Sequence, residues 1–254
     1  MLGNRQLGRV CSAPFQRRHY RAVINMARVC EDFSGTLGRY LSEKGEYPYD
    51  LGLRTPIGRV SVRLYNPHDL LTVNEIFCRV DYPADSGTRA VVDLGSNIGI
   101  SALYFLTRNL RLRCYLYEPD VRNAEKLRRT MGGFERRYTL TEKAVSHKAG
   151  QVEFGIEPTG RYGGIGAKTG RAVAVECLEI NDVLRGILER EEFIDILKVD
   201  TEGVEIPTVE AIQPEFLARI NRIYVEATPS RAIHPEMFRR RQYGSICQLT
   251  SRNL

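Results

Sequence analysis

Residues 91–99, which read VVDLGSNIG, decide the fold. The apolar residues at the start of this stretch are typical of a buried strand, and Gly95 and Gly99 indicate a sharp turn before a helix that we expect to begin around Ile98. Glycine lets the backbone approach a ligand closely, and the first turn of a helix offers unpaired N–H groups. The stretch therefore predicts a strand, a ligand-binding turn and a helix.

The spacing within this turn narrows the choice of ligand. A dinucleotide-binding turn follows the pattern GxGxxG, in which the middle glycine makes room for a pyrophosphate. Here Asn97 stands at the middle position, and the acidic Asp93 precedes the first glycine. A ligand with a positively charged end and no phosphate fits better, because Asp93 could contact that end directly or through water. S-adenosylmethionine has such an end, with a ribose diol beyond it.

From about residue 89 onward, strands alternate with amphipathic helices, as in a parallel sheet that is covered by helices on both faces. The predicted core strands are 90–94, 113–117, 139–145, 194–199 and 222–225. Apolar residues at helical spacing predict a helix at 180–188, and Asp120 is positioned to cap another one. Two further strands, at 151–156 and 171–177, flank a glycine-rich loop that is long enough to form part of a substrate mouth.

The N-terminal third of the chain has a different pattern. Residues 17–42 carry apolar side chains at helical spacing, with an interruption expected near Gly35, and residues 46–82 predict a small β extension with a short helix. We predict that residues 1–88 form a lid or cap within the same unit and that residues 89–254 form the catalytic domain. The N-terminal helix could serve as a lid or a dimer face, or it could only cover an edge of the core.

The composition is that of a packed globular protein. Of the 254 residues, 43% are hydrophobic and 27% are charged, which argues against disorder and fibrous repeats. No apolar run approaches the roughly 20 residues of a membrane-spanning helix, and the first residues lack the apolar core of a secretory signal. We therefore expect a cytoplasmic protein without a membrane span. The six cysteines show no zinc-binding spacing, and we expect them to be reduced thiols.

The net charge of +6 has much of its excess near the two ends of the chain. The basic residues there are Arg5, Arg9, Arg17, Arg18, Arg21, Arg239, Arg240 and Arg241. Such a field could attract nucleic acid, an anionic membrane surface or a phosphorylated substrate. No helix-turn-helix, RRM or KH signature accompanies these arginines, so we favour a solvated basic face and expect no nucleic-acid partner.

Acidic residues follow the ends of several predicted strands. Glu118 closes the strand in RCYLYEPD, where its carboxylate can accept hydrogen bonds from both ribose hydroxyls. Asp200 and Glu202 follow the strand in FIDILKVDTEGVEI, and Glu226 follows the next strand in INRIYVEATP. Because ligands bind outside the carboxyl ends of parallel strands, we expect these side chains at one cleft. For Glu202 and Glu205, a solvated helix start with N-terminal acids is the alternative explanation.

Several motifs, in the same order along the chain, resemble the FkbM family of methyltransferases. They are PHDLLTVNEIFCRVDY, VVDLGSNIG, LYEPD, KAVSHKAGQVEF, VAVECLEINDVL, DILKVDTEGVEI and IYVEATP, and they cover roughly residues 50–230. The chain departs from the family pattern at Glu179, where aspartate is frequent. The N-terminal helix and the loop at 160–170 match nothing in that pattern.

The resemblance implies an α/β fold of the class I methyltransferase, Rossmann-like type, with a seven-stranded, mostly parallel sheet and helices on both faces. It also implies methyl transfer from S-adenosylmethionine to a hydroxyl of a sugar, a polyketide or another secondary metabolite. The predicted cofactor residues are Asp93, Gly95, Ser96, Asn97, Gly99 and Glu118, with Ala144 and Val145 near the adenine. The expected partner is a small hydroxylated molecule, and a homodimer is an open alternative to a monomer.

An aliphatic hydroxyl is a poor nucleophile at neutral pH, so the transfer needs a base or a metal. The predicted catalytic residues are Asp200, Glu226 and His234, of which Asp200 is the first choice as base, because a histidine in a surface loop is more often a bystander. If Mg²⁺ assists instead, its predicted ligands are Asp200, Glu202 and Glu226. Methylation of RNA or another macromolecule, and binding of S-adenosylmethionine without catalysis, are the alternative functions.

Overall fold

The computed structural model describes residues 17–157, 163–167 and 171–254. The chain divides into two compact units, Met1–Pro83 and Ala84–Leu254. The first two arginines of the basic ends, the first of the six cysteines and most of the glycine-rich loop lie outside the described residues. That the N-terminal region acts as a lid or cap stays a prediction.

The first unit contains helices and one β-hairpin. Its elements are α1 (Arg17–Val29), α2 (Phe33–Ser42), β1 (Tyr49–Thr55), β2 (Gly58–Leu64), α3 (Pro67–Val73) and a π-helical turn (Asn74–Cys78). The helical pattern of residues 17–42 is broken just before Gly35, because the Asp32 side chain accepts a hydrogen bond from the Gly35 amide at 2.9 Å and caps a new helix. The predicted β extension is the antiparallel hairpin of β1 and β2, and the predicted short helix is α3.

The second unit contains the remaining strands and helices. Its strands are β3 (Ala90–Leu94), β4 (Arg113–Tyr117), β5 (Tyr138–Thr141), β6 (Ala144–Ser146), β7 (Gly150–Gly155), β8 (Gly164–Ile165), β9 (Ala172–Glu179), β10 (Ile196–Val199), β11 (Arg222–Val225), β12 (Phe238–Tyr243) and β13 (Ile246–Ser251). Its helices are α4 (Ile100–Leu106), α5 (Val121–Thr130), α6 (Ile180–Leu188), α7 (Glu205–Glu210) and α8 (Pro214–Leu217). As predicted, Asp120 caps α5, since its side chain accepts from the Arg122 amide at 2.9 Å.

A seven-stranded sheet with the order β12-β13-β11-β10-β3-β4-β5 forms the centre of this unit. Every neighbouring pair is parallel except the two that involve β13, which runs antiparallel to β11 and to β12. Helices flank the sheet, and Leu184 and Ile187 of α6 belong to the same buried cluster as Val92 and Leu197 of the central strands. The prediction of an α/β class I fold with a seven-stranded, mostly parallel sheet is confirmed.

The single strand predicted at 139–145 is wrong. The chain forms β5 at the edge of the large sheet and then leaves it, and β6 pairs in parallel with β9 in a separate sheet of order β6-β9-β7-β8. Burial explains the change, because β5 is partly exposed whereas Ala144, Val145 and Ser146 are all buried. This four-stranded sheet contains the two extra strands predicted around the glycine-rich loop.

The edge strand β12 was not predicted. It carries Arg239, Arg240 and Arg241, which are all exposed. Three consecutive arginines lack the alternation of polar and apolar residues that marks a strand, whereas charged side chains are well suited to a sheet edge.

Among the described residues there is neither a disulfide nor a helix that could cross a membrane. The five cysteines in these ranges, at 30, 78, 114, 177 and 247, are free and buried. None of the helices placed in the structure is long and apolar enough to span a bilayer.

At the amino ends of the central strands, one carboxylate connects three of them. Asp195 Oδ2 accepts hydrogen bonds from the amides of Arg89 at 2.6 Å and Ala90 at 3.0 Å, and Oδ1 accepts from Asn221 Nδ2 at 3.0 Å. These partners precede or begin β3 and precede β11, and Asp195 itself directly precedes β10. This carboxylate therefore holds the strand starts in register, at the opposite end from the loops that follow the strands.

We expect Asp195→Ala to lower the free energy of unfolding by about 2 kcal/mol, because it removes hydrogen bonds to a charged acceptor. Denaturant unfolding monitored by circular dichroism measures this loss. Asp195→Asn, which keeps one acceptor oxygen, should lose less than Asp195→Ala. Equal stability of wild type and Asp195→Ala would contradict the assignment.

Candidate active site

A cleft that opens to solvent lies at the carboxyl ends of β3, β4 and β10. Its empty volume, including the mouth, is about 660 Å³. It is lined by the turn after β3, by the loops after β4 and β10, and by residues of the four-stranded sheet, which we call the small sheet. The lining combines a glycine turn, acidic side chains and apolar side chains, a mixture that is typical of small-molecule sites.

The turn after β3 is shaped by glycine. Gly95 has φ +80°, and a Cβ at this position would collide with the backbone carbonyl oxygen of Asp200. The amides of Gly95 and Ser96 both donate to the Tyr117 carbonyl at 3.0 Å, which attaches the turn to the end of β4. Gly99, with φ +86°, precedes α4 as its N-cap. Only glycine allows the turn after β3 to lie this close to the loop after β10.

Glu118 presents a buried carboxylate to the cleft. Its Oε2 accepts from the Asn97 amide at 2.8 Å, and its Oε1 accepts from the Asp120 amide at 2.9 Å. Burial raises the pKa of Glu118 from 4.5 to about 7, although the two backbone amides oppose this shift. The carboxylate is fixed in orientation, and its proton can be exchanged near neutral pH.

Asp93 and Asp200 share one buried cation. Lys198 Nζ lies 3.0 Å from Asp93 Oδ1 and 3.0 Å from Asp200 Oδ2. Burial by itself would lower the pKa of Lys198, but the carboxylates of Asp200 and Asp93 raise it above its ordinary value. Asp93 Oδ2 also accepts from Ser101 Oγ at 2.5 Å. Both oxygens of Asp93 are therefore bonded inside the protein, and this residue does not line the cleft, whereas Asp200 does.

The loop after β10 has an unusual backbone. Glu202 and Gly203 have positive φ angles of 56° and 117°. The buried Glu205 carboxylate accepts from the Gly203 amide at 2.9 and 3.0 Å, so this acid stabilises the start of α7. A Cβ at Gly164 of β8 would collide with the Glu202 carbonyl oxygen, which shows how closely the small sheet approaches this loop.

A family model described as the methyltransferase FkbM domain matches residues 93–245, a range that includes every residue that lines the cleft. This chain belongs to the FkbM methyltransferase family. No curated protein matches it. Membership of the family was predicted from the motifs, and it is confirmed.

Solved structures of methyltransferases are similar at low identity. The methyltransferase FkbM from Methylobacillus flagellatus is 15% identical with a TM-score of 0.48, and the match covers 94% of this chain and 60% of that one. An O-methyltransferase family protein from Burkholderia thailandensis is 11% identical with a TM-score of 0.40, over 73% of this chain and 59% of that one. An rRNA methylase from Streptococcus thermophilus is 10% identical with a TM-score of 0.37, over 66% and 88%. The chain thus spans less than two thirds of the length of the first two.

In this FkbM-family protein, the small sheet supplies an apolar side of the cleft. Of the predicted residues, Ala144 and Val145 line it. Phe154, Ile156 and Ile165 line it as well, and sequence reasoning did not single them out. The alternation of apolar residues in QVEFGI was the available signal for Phe154 and Ile156, because residues two apart in a strand share a face.

Two predicted catalytic residues are not brought to the cleft. Glu226 is exposed after β11, and His234 Nε2 lies 3.0 Å from the Val209 carbonyl oxygen of α7. Neither lines the cleft that contains Asp200 and Glu202. Within the described ranges, no group of three or more His, Cys, Asp or Glu side chains could hold a metal ion. The predicted Mg²⁺ ligand set of Asp200, Glu202 and Glu226 is therefore not supported.

We expect Gly95→Ala to abolish high-affinity binding of S-adenosylmethionine, because the added Cβ must push the turn away from the Asp200 carbonyl. Isothermal titration calorimetry measures the change. Gly133→Ala is a matched control, since Gly133 also has a positive φ of 87° but nothing lies within 4 Å of its added Cβ. The control variant should bind like wild type. Wild-type affinity in Gly95→Ala would contradict the assignment.

We expect S-adenosylmethionine to bind more tightly as the pH rises from about 6 to about 8. Ribose hydroxyls donate to the charged form of Glu118, whose pKa of about 7 leaves it partly protonated in this range, so binding should release a proton. Affinity should rise by up to about tenfold per pH unit below that pKa. Calorimetry in buffers of different ionisation enthalpy counts the protons released.

Glu118→Gln removes the titrating group and should bind S-adenosylmethionine with little dependence on pH. An unchanged pH profile in this variant would show that another group titrates.

The raised pKa of Glu118 also affects stability. Because the folded-state pKa lies above 4.5, the contribution of Glu118 to stability is present below about pH 4.5 and is lost as the pH rises through about 7.

Proposed function

We propose that this methyltransferase uses S-adenosylmethionine to methylate a hydroxyl of a sugar or another small secondary metabolite. The observation that carries the donor assignment is the Glu118 carboxylate, which two backbone amides fix at the cleft beside the glycine turn. A class I fold in the FkbM family supports the same donor. The hydroxyl acceptor is inferred from the chemistry of the cleft and from the resemblance in the sequence motifs.

The residues present fit this cofactor. Glu118 would accept hydrogen bonds from the ribose diol, and Ala144 and Val145 would contact the adenine. The Thr201 hydroxyl lines the cleft and is buried without a hydrogen-bond partner among the described residues, so a bound ligand would supply one. Because Gly95 has no side chain, the turn presents its backbone to a ligand in the cleft.

Asp200 is the proposed base. When bound, the cofactor supplies a methyl group that is already electrophilic, so the protein's task is to align the acceptor, exclude water and remove its proton. The Asp200 side chain is 25% exposed and lines the cleft, and its Oδ2 forms an ion pair with the buried Lys198 ammonium. Its carboxylate would accept the hydroxyl proton as the acceptor oxygen bonds to the methyl carbon and the bond between that carbon and the donor sulfur breaks, which leaves a neutral thioether.

The acceptor would lie between the acids of the loop after β10 and the apolar side formed by the small sheet. Phe154, Ile156 and Ile165 suit a carbon skeleton, and Asp200 and Glu202 suit its hydroxyl groups. A small molecule with both features, such as a sugar or a polyketide, matches this combination.

The proposal also includes two predictions from the sequence, that the N-terminal region is a cap and that a homodimer can form.

Incubation of the purified protein with methyl-labelled S-adenosylmethionine and a panel of sugars and polyketides tests the acceptor class. Label should enter at least one small hydroxylated compound. Transfer to RNA with salt-sensitive RNA binding would instead support a macromolecular acceptor and give the exposed arginines of β12 a role. Binding of the donor without any transfer would support the non-catalytic alternative.

We expect Asp200→Asn to reduce kcat by about 100-fold or more, because it removes the base, and to change the Kd for S-adenosylmethionine by no more than about threefold. Asp182→Asn is the matched control, since Asp182 is an exposed acid on α6 that pairs with Arg185. That control should keep the wild-type rate. Near-normal turnover in Asp200→Asn would rule out Asp200 as the base.

A further inference from the structure

Lys198 connects the two loops that form the cleft. Besides its contacts with Asp93 and Asp200, its Nζ donates to the Gly95 carbonyl oxygen at 3.2 Å. An ammonium has three N–H donors, and these three oxygens surround it. Asp93 ends β3, Gly95 lies in the turn, and Asp200 lies in the loop after β10, so one cation bonds to all three segments.

A contribution to stability does not explain this buried cation. The Lys198 side chain is 3% exposed, and Asp93 is completely buried. Taking two charges out of water is unfavourable, and apolar residues of similar volume often give equal or greater stability. Neighbouring positions of the same strands are apolar, including Val92 and Leu197. The Lys198 charge is better explained by the two loop segments that it holds together, at Gly95 and at Asp200.

We propose that Lys198 is a positioning residue of the cofactor site, whose ammonium holds the Gly95 turn against the Asp200 loop and thereby sets the place of the amino-acid end of the donor. This inference rests on the proposed use of S-adenosylmethionine. Glu118, Ala144 and Val145 would hold the nucleoside end. None of them is hydrogen-bonded to the Lys198 ammonium in these contacts, and its charge acts on Glu118 by lowering the pKa of that carboxyl, so the comparison is made at about pH 8.5, where Glu118 is mostly ionised. Loss of Lys198 should therefore affect the two ends of the ligand differently.

Calorimetry with two probes tests this difference. S-adenosylmethionine has the amino-acid end, and 5′-methylthioadenosine lacks it. Lys198→Met alone would leave Asp93 as an unpaired buried charge and could unfold the protein, so the main variant is D93N/K198M, in which both charges are removed together. Its Kd for S-adenosylmethionine should rise at least about tenfold, while its Kd for 5′-methylthioadenosine should change by less than about threefold.

Two further variants serve as controls. Asp93→Asn alone keeps the ammonium between Gly95 and Asp200, so its affinity for S-adenosylmethionine should lie above that of D93N/K198M. Lys148→Met removes an exposed lysine outside the cleft and should change neither affinity. A purely structural role of Lys198 would weaken both probes together in D93N/K198M, and this result would overturn the proposal.

The outcomes also separate this inference from the proposed function. If wild type and D93N/K198M bind S-adenosylmethionine equally, the positioning role is wrong and the function stands. If wild type does not bind S-adenosylmethionine, both are wrong. Should D93N/K198M not fold, hydrogen exchange of wild type decides, because added S-adenosylmethionine should protect the amides of 95–97 and of 200–203 together. Protection of only one segment would overturn the proposal.

Discussion

The close approach of two backbone segments, at Gly95 and at Asp200, is the constraint on which the cleft depends. β3 and β10 are parallel neighbours, with Leu94 opposite Val199, so their loops begin side by side. The Asp200 carbonyl oxygen occupies the space that a side chain at residue 95 would need. The turn is also attached to β4, because its amides donate to the Tyr117 carbonyl, which places Glu118 beside Asn97. Backbone contacts therefore bring the turn after β3 next to the loops after β4 and β10.

Two buried acids in the same turn region have different roles because their partners differ. Asp93 bonds to an ammonium and a hydroxyl inside the protein and does not line the cleft. Glu118 bonds to two backbone amides and lines the cleft; burial raises the pKa of both carboxyls, and that of Glu118 reaches about 7. An acid that precedes the first glycine of such a turn was expected to contact the ligand. In the structure its oxygens bond to Ser101 and Lys198, and its contact with a ligand stays a prediction.

Local sequence patterns predicted those parts of the fold that depend on local structure. The bounds of β3, β4 and β11 follow from apolar runs between turns. The Asp120 cap was predictable because its side chain bonds to an amide only two residues later in the chain. The split between β5 and β6 depends on pairing with β9, more than 25 positions later in the chain, and no pattern at 139–145 indicates it. Glu226 and His234 were placed at the cleft because they follow a strand, but the direction of a loop after its strand depends on packing that the sequence does not show.

The motif LKVDTEGVEI shows why a family signature can identify the donor without the acceptor. Lys198 bonds to the turn after β3, Gly203 adopts a positive φ, and the Glu205 carboxylate accepts from the Gly203 amide just before the helix. Three of its distinctive residues thus shape the loop. The remaining acids, Asp200 and Glu202, both line the cleft, and Lys198 bonds to Asp200. The apolar side of the cleft comes from β7, β8 and the residue after β7, which lie outside this motif and next to the glycine-rich loop. In the proposed function, substitutions at Phe154 and Ile156 would therefore change the apolar side that faces the acceptor without changing this motif.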